Sequence, residues 1–533
     1  MNATASIEVV APDSNRIALR QAILLAAIFG LLKFLIHLGA NLWEAHIGWG
    51  YFRDEMYYII CGQHLDWGYV DHGPIVGLQA RLAIALFGKS LAGIRMFSAL
   101  AGAVAVFFTG IITWALGGRR ISQAFAMLGI LLAPEYLGLD SFLSMNSFEP
   151  VFWMTAVFAL LMLLRGASPT RWWILFGLAG GIGIENKPSM VVFLVALLIG
   201  LLLTPQRRIV FTRGALLGVV LIVVLALPNL LWQIHYQFPT LEFIHNGKVD
   251  NKNVVLSPLQ FIGAQILMMS PLSVFLWMAG VVWLLVSRRA REWRFLGWTY
   301  IVFLLLMMAT RDAKDYYLAP IYPAIFAAGG VCWQALLKRR ATAWLVPAYA
   351  VLILITGILV LPMSMPVLTP QHALDYTAQL HLRKAAAQTE NEATSAFPQF
   401  YADRFGWQEM VNDVTRIYNS LPPADRASAG ILCSNYGEAS AINFLGAGRS
   451  LPFAISGHNN YWLWGPHGET GSGVMIIING ASLDEMRKYY DSVEIAGVMN
   501  HPYAMPYEHR NIYLCRGRKG SIPKDWADFK KYI

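Results

Sequence analysis

Long apolar stretches alternate with short polar connections over the first two thirds of the chain. They fall at 19–40, 91–116, 121–139, 148–165, 171–186, 188–204, 213–234, 263–286, 294–310, 316–337 and 343–364. Each approaches the ~20 residues that an α-helix needs to cross a bilayer, so the pattern predicts about eleven spans. Five connections carry Arg or Lys: "GGRR" (117–120), "RGASPTR" (165–171), "TPQRRIVFTR" (204–213), "SRRAREWR" (287–294) and "KRRAT" (338–342). These are alternate connections, and the positive-inside rule assigns them all to the cytoplasm. The loops near 140–147, 235–262 and 311–315 are poorer in positive charge and fall outside. The N-terminus is then cytoplasmic, and the first outer loop (41–90) and everything after about Pro366 are extracytoplasmic. The early residues lack a small-residue cleavage site after a short apolar core, so the first apolar run reads as a retained span.

After 366 the pattern changes to that of a soluble α/β domain (367–533). "GILCSNYGEASAINFLGAG" reads as strand then helix, "SGVMIIING" as a buried strand, "EMRKYYDSVEIAGV" as helix to strand and "NIYLCRG" as a final strand. The fold class is therefore a polytopic α-helical membrane protein, with a transmembrane part at 1–366 and a C-terminal extracytoplasmic α/β domain.

Composition agrees. Of 533 residues, 56% are hydrophobic and 14% charged, with a mean hydropathy of +0.48. The net charge of +9 lies in short clusters between apolar runs, a topological pattern that argues against nucleic acid as a partner. Four cysteines are too few for a disulfide scaffold or a zinc ribbon. Cys433 and Cys515 lie in two predicted strands, and either a disulfide or two buried thiols fits. No internal repeat of the inverted-transporter kind is visible.

Candidate chemistry begins at the end of the first span. Lys33, His37, Asn41 and Glu44 in "LLKFLIHLGANLWEAH" share one helical stripe, which is expected to line a polar cavity closed by the next loop. That loop, "YFRDEMYYIICGQHLDWGYVDHGP" (51–74), opens with Asp54 and Glu55. A carboxylate in a partly dry cavity can act as a general base, while two solvated interface acids are the plain alternative. Adjacent residues point different ways, so the two acids should have separate jobs.

The segment "FRDEMYY…DWGYVDHGPIVGLQARL…FGKSLAGIRMFSALAG" resembles the start of the C-type, polyprenyl-phosphate-dependent glycosyltransferases. More narrowly it resembles family 39, which includes protein O-mannosyltransferases and the lipid A aminoarabinose transferase. Further pieces follow in order: "GIENKPSM" (183–190), "PNLLWQIHYQFPTLEFIHN" (228–246), "SPLSVFLW" (270–277), "AKDYYLAPIYP" (313–323), "NYGEASAINF" (435–444) and "SGHNNYWLWGP" (456–466). The resemblance implies an inverting transfer of a sugar from a polyprenyl-phosphate donor to a hydroxyl of a lipid, glycan or protein. It places that reaction at the outer face of the inner (plasma) membrane, among membrane lipids.

Asp54 matches the family's first acid and is expected to be the base. Glu55, Tyr58, His72, Arg81, Lys187, Arg311, Lys314 and Tyr316 are the candidate substrate contacts, the cations facing the phosphate and Glu55 holding either the loop or a hydroxyl. Arg95 is expected to tie the second span to the loop. Two departures stand out: the usual Pro-Pro turn is Gly73-Pro74, and the second outer loop, "SMNSFEPVF" (144–152), carries Asn146 and Glu149 where many members have an Asp before a proline. No His/Asp/Glu cluster has metal spacing, so no cofactor is expected, with a divalent ion as the alternative. A flippase for lipid-linked sugars and a non-catalytic envelope assembly protein are the competing readings.

Overall fold

The structure, a computed structural model, describes residues 12–310, 313–338, 340–380, 390–393 and 395–533. Each of the eleven apolar segments contains helix. The sequence places Pro12–Glu44 first, then Met96–Ala115, Arg120–Leu131, Glu149–Leu164, Pro169–Asn186, Ser189–Leu202 and Arg213–His235. Val274–Val286, Arg294–Thr310, Tyr322–Trp333 and Leu345–Ser364 complete the series. Among the described residues, five helices are long and apolar enough to cross a membrane by themselves. Several of the others are shorter apolar helices, such as Arg120–Leu131, which stops before Pro134.

The 263–286 segment departs from a straight span. Pro258–Met268 and Pro271–Val286 meet at 103°. The break sits at Ser270, whose φ of 71° ends the first helix, and Pro271 follows it. Helices elsewhere approach closely through small residues. A Cβ on Gly280 would stand 2.2 Å from the Ile325 carbonyl oxygen, and one on Gly329 2.2 Å from that of Leu276, so those two helices meet backbone to backbone.

The stripe on the first helix faces the protein interior. Lys33 donates to the Tyr136 carbonyl at 2.9 Å and pairs with Asp140 at 3.2 Å. Lys33, His37, Asn41 and Glu44 are all buried. Charge inside a span is thus met by protein, as its cost in lipid requires.

The tail contains one five-stranded sheet in the order β2-β1-β3-β5-β4, with β1 Gly430–Cys433, β2 Ala454–Ser456, β3 Met475–Asn479, β4 Tyr490–Met499 and β5 Arg510–Arg518. β1 runs parallel to β2 and β3; β5 runs antiparallel to β3 and β4. The three-residue β2 escapes sequence reading because it is too short to show a period. All four cysteines are free thiols, and β3 lies between the strands that carry Cys433 and Cys515.

Candidate active site

The loop after the first span folds into two helices, Arg53–Gln63 and Pro74–Phe87, joined by the connection 64–73. Asp54 and Glu55 occupy the first turn of the former, where the helix dipole favours acids. Successive helical residues point about 100° apart, and the two acids accordingly part company.

Glu55 faces inward and is fully buried. Its Oε1 accepts from Arg95 Nε at 2.6 Å and from the Leu143 N–H at 2.7 Å. Its Oε2 accepts from Arg95 Nη2 at 2.8 Å and from the Phe52 N–H at 2.9 Å. Arg95 Nη1 also bonds Glu44, whose same oxygen takes Arg404 Nη1 at 2.9 Å. Four buried charges, from the first helix, the loop, the start of the second span and the tail, therefore form one network. Arg95, expected as a tie between the second span and the loop, bonds Glu55 of the loop and Glu44 of the first helix. Both Glu55 oxygens are already bonded twice by protein donors, so of the two roles expected of it the geometry gives the loop-holding one and not the substrate contact.

Asp54 faces outward and is partly exposed. Its Oδ1 accepts from the Tyr436 hydroxyl at 2.8 Å and lies 3.5 Å from Arg53 Nε. Its Oδ2 makes no hydrogen bond among the described residues. Arg53 is fixed in turn: Nη1 donates to the Tyr507 hydroxyl at 2.8 Å, Nη2 lies 3.9 Å from Asp403, and the guanidinium packs over the Tyr436 and Tyr507 rings. Three of these partners come from the tail, so the tail packs directly on the loop.

Lysines from three other loops complete the cluster. Lys187, at the break before Pro188, donates to Asn146 at 2.8 Å and to Glu149 at 2.9 Å, and stands 4.4 Å from the Tyr317 ring centre and 5.5 Å from that of Tyr316. Lys314 donates to Glu390 at 2.8 Å. Burial alone would lower the Lys314 ammonium pKa, but Glu390, then Tyr317 and Asp54, raise it. Lys252 lies in the same field; burial pulls its pKa below the ordinary lysine range, with Glu390 opposing and Lys314 and Arg53 adding to the fall. Tyr58 links the two sides, since burial and then Asp54 raise its hydroxyl, while it acts in turn on Tyr316.

The structure thus brings together Asp54, Tyr58, Lys187, Lys314, Tyr316, Asn146 and Glu149 from the sequence reading. Arg311 lies outside the described residues. Arg81 is exposed on the Pro74–Phe87 helix and makes no hydrogen bond or ion pair among the described residues, so it does not join the cluster. His72 is corrected as well. It is buried among Tyr57, Tyr58 and Tyr69, with Nδ1 2.8 Å from the Gly73 carbonyl oxygen and Nε2 3.6 Å from Cys61 Sγ. Both ring nitrogens serve the loop. Gly73 fits its place for a steric reason, because a Cβ there would lie 2.0 Å from the Glu185 carbonyl oxygen.

Sequence reasoning missed Arg53, Asp71, Lys252, Glu390 and Tyr436. Asp71 accepts from the Tyr57 hydroxyl at 3.0 Å, and burial first, with Asp54 adding, raises its carboxyl pKa. Tyr436 and Asp71 sit inside quoted motifs and were within reach. Lys252 and Glu390 sit in polar connections with no pattern to mark them.

A helical membrane body, a carboxylate beside Arg53 where loops converge, and an α/β tail packed on that carboxylate define the candidate site. Residues 71–232 match the family model described as dolichyl-phosphate-mannose-protein mannosyltransferase. Among solved structures, the chain resembles ArnT from Cupriavidus metallidurans bound to undecaprenyl phosphate. That likeness has a TM-score of 0.57 and 15% identity, over 92% of this chain and 97% of that one. The apo form of the same protein gives 0.56 and 16%, over 95% and 98%. A lower score, 0.49 at 11% identity over 82% of this chain and 64% of the other, falls to the Archaeoglobus fulgidus oligosaccharyltransferase. No curated protein matches the chain in sequence. The resemblance read from the motifs, to polyprenyl-phosphate-dependent C-type glycosyltransferases, holds in family segment and in fold.

Proposed function

We propose that this protein is an inverting glycosyltransferase that moves a sugar from a polyprenyl-phosphate donor to an acceptor hydroxyl at the outer face of the inner membrane. The observation that carries the reading is the meeting of Asp54, with one carboxylate oxygen free, and four cations, Arg53, Lys187, Lys252 and Lys314. All come from loops that the charge pattern assigns to the outside, and none from the five basic connections. This supports about eleven spans, a cytoplasmic N-terminus and a division near 366 into membrane and extracytoplasmic parts.

In this reading Asp54 Oδ2 accepts the proton of the acceptor hydroxyl as its oxygen bonds to the anomeric carbon. The bond from that carbon to the phosphate oxygen breaks on the opposite face, which inverts the centre, as in single-displacement glycoside chemistry. The leaving phosphate gains negative charge, and preorganised ammonium and guanidinium groups stabilise that charge most where water is partly excluded. Lys187, Lys252 and Lys314 supply this without a metal ion. Tyr58, which feels Asp54, and Tyr316, whose ring lies 5.5 Å from Lys187, are the rings this reading sets against the sugar.

The test uses purified protein, a panel of polyprenyl-phosphate sugars and a host membrane extract, comparing wild type with Asp54→Asn. Release of free polyprenyl phosphate by wild type, reduced about 10²–10⁴-fold in the variant, is the expected result. Equal release would remove Asp54 as the base, and no release from folded wild type with any donor would put the flippase reading ahead.

A further inference from the structure

The cations of the cluster are not waiting bare. Glu390 supplies a carboxylate from the tail: Oε1 accepts from Lys314 at 2.8 Å and Oε2 from Gln399 Nε2 at 3.0 Å. Lys252 and Arg53 act on the same carboxylate. Burial alone would raise its pKa, and the three cations together hold it well below the usual carboxylate range.

Backbone pairing keeps this carboxylate in register with Lys252. Glu390 and Asn253 form an antiparallel bridge, and the Asn391 N–H donates to the Lys252 carbonyl at 2.8 Å. The Asn391 side chain donates to the Asn251 and Asn253 carbonyls at 2.8 and 2.9 Å. The 251–253 turn and the 390–391 segment are thus one unit, which holds Lys252 and Glu390 together, with Lys314 bonded to that carboxylate.

This arrangement has a physical logic. Several cations gathered in a partly dry site repel one another and lose protons unless an anion is present. A carboxylate solves this before substrate arrives, but it also repels any other anion that approaches the same lysines. We propose that Glu390 is an exchangeable counter-ion for the donor phosphate. It neutralises Lys314 and Lys252 in the free enzyme, yields them when the phosphate of the lipid carrier binds, and reclaims them as the lipid phosphate leaves. The role rests on the donor assignment above and deepens it. Glu390 is a positioning residue in this scheme: it sets how tightly the phosphate is held, and the chemical step stays with Asp54.

The experiment uses full-length protein in phosphatidylcholine nanodiscs, titrated with polyprenyl phosphate and, separately, with inorganic phosphate. Glu390→Gln keeps the shape and one acceptor for Lys314 while removing the charge. It is expected to bind polyprenyl phosphate about tenfold more tightly than wild type. Its kcat and KM for the donor are expected to fall together, because product leaves more slowly. Lys314→Gln is expected to weaken binding about tenfold. Tighter inorganic phosphate binding alone would show a bare anion site and overturn the lipid-phosphate assignment. If Glu390→Gln does not survive purification, Glu390→Asp, which withdraws the charge by one methylene, is expected to bind about threefold more tightly. Unchanged or weaker binding in the Glu390 variants, with Lys314→Gln still impaired, overturns the counter-ion role and leaves the donor assignment standing. No binding by wild type and no effect of Lys314→Gln would remove both.

Discussion

Glu55→Gln separates a loop-holding acid from a substrate-holding one. The wild-type carboxylate has two oxygens and accepts four hydrogen bonds, two at each oxygen, from Arg95 Nε and the Leu143 N–H and from Arg95 Nη2 and the Phe52 N–H. A glutamine amide replaces one of those oxygens by an NH₂ group. Whichever way it is turned, that NH₂ faces two donors at distances set for acceptance. Two bonds are lost, and a buried donor left unsatisfied costs about 1–3 kcal/mol. The sum is about 2–6 kcal/mol, before Arg95 relaxes toward Glu44. Part of that strain passes into the Arg53–Gln63 helix, and a shift of ~1 Å at a reacting group can cost about 10²-fold in rate. Thermal unfolding in nanodiscs should fall by several degrees, and kcat should fall with little change in donor affinity. A variant with wild-type unfolding but much weaker donor or acceptor binding would refute the argument and return Glu55 to the substrate.

Other consequences are quickly stated. Lys252 must be protonated to hold a phosphate, and burial, with Lys314 and Arg53, sets its pKa below the ordinary lysine range, so donor affinity should be full at lower pH and fall as pH rises through that lowered value. Titrating polyprenyl phosphate binding across pH, with Lys252→Met as the control that flattens the profile, checks this. Gly73→Ala should cost about 1–3 kcal/mol and reduce the yield of folded protein, because its Cβ would stand 2.0 Å from the Glu185 carbonyl oxygen. Turnover should survive EDTA, since the cluster's own cations face the phosphate; loss that Mg²⁺ or Mn²⁺ restores would contradict the metal-free reading.

Hydropathy made the helical part legible, because lipid demands a continuous apolar run and leaves few alternatives to helix. It did not reveal the 103° break, which depends on one serine at positive φ before a proline. Ordered motifs picked out Asp54, Lys187, Lys314 and Arg95, which the fold brings to the same region or to the network beneath it. A motif gives residue type and order but not which way a side chain turns, so it left Glu55 between loop and substrate and set His72 toward substrate. Both turned inward. Lys252 and Glu390 were invisible because their meaning comes from pairing across more than a hundred residues of chain. Neither has a local pattern that physics would reward.

The tail's part in the chemistry rests on Tyr436, and Tyr436→Phe isolates it. The ring packs 4.6 Å from Tyr57 and lies beneath the Arg53 guanidinium, contacts that phenylalanine retains in large part. What disappears is the 2.8 Å hydrogen bond to Asp54 Oδ1. A bond to a charged group contributes about 1.5–3 kcal/mol, and Asp54 is partly solvated, so water can replace some of it. In the proposed reaction the remaining loss is orientation: with Oδ1 held by the tail, Oδ2 would be the oxygen turned to the acceptor; without it, the carboxylate would rotate between Arg53 and solvent. We expect kcat to fall about tenfold with unfolding unchanged and donor binding unaffected, since no lysine of the cluster is touched. A variant with wild-type kcat would mean that Arg53 alone orients the base and that the tail only covers the loop. A variant with weakened donor binding would place Tyr436 against the sugar instead.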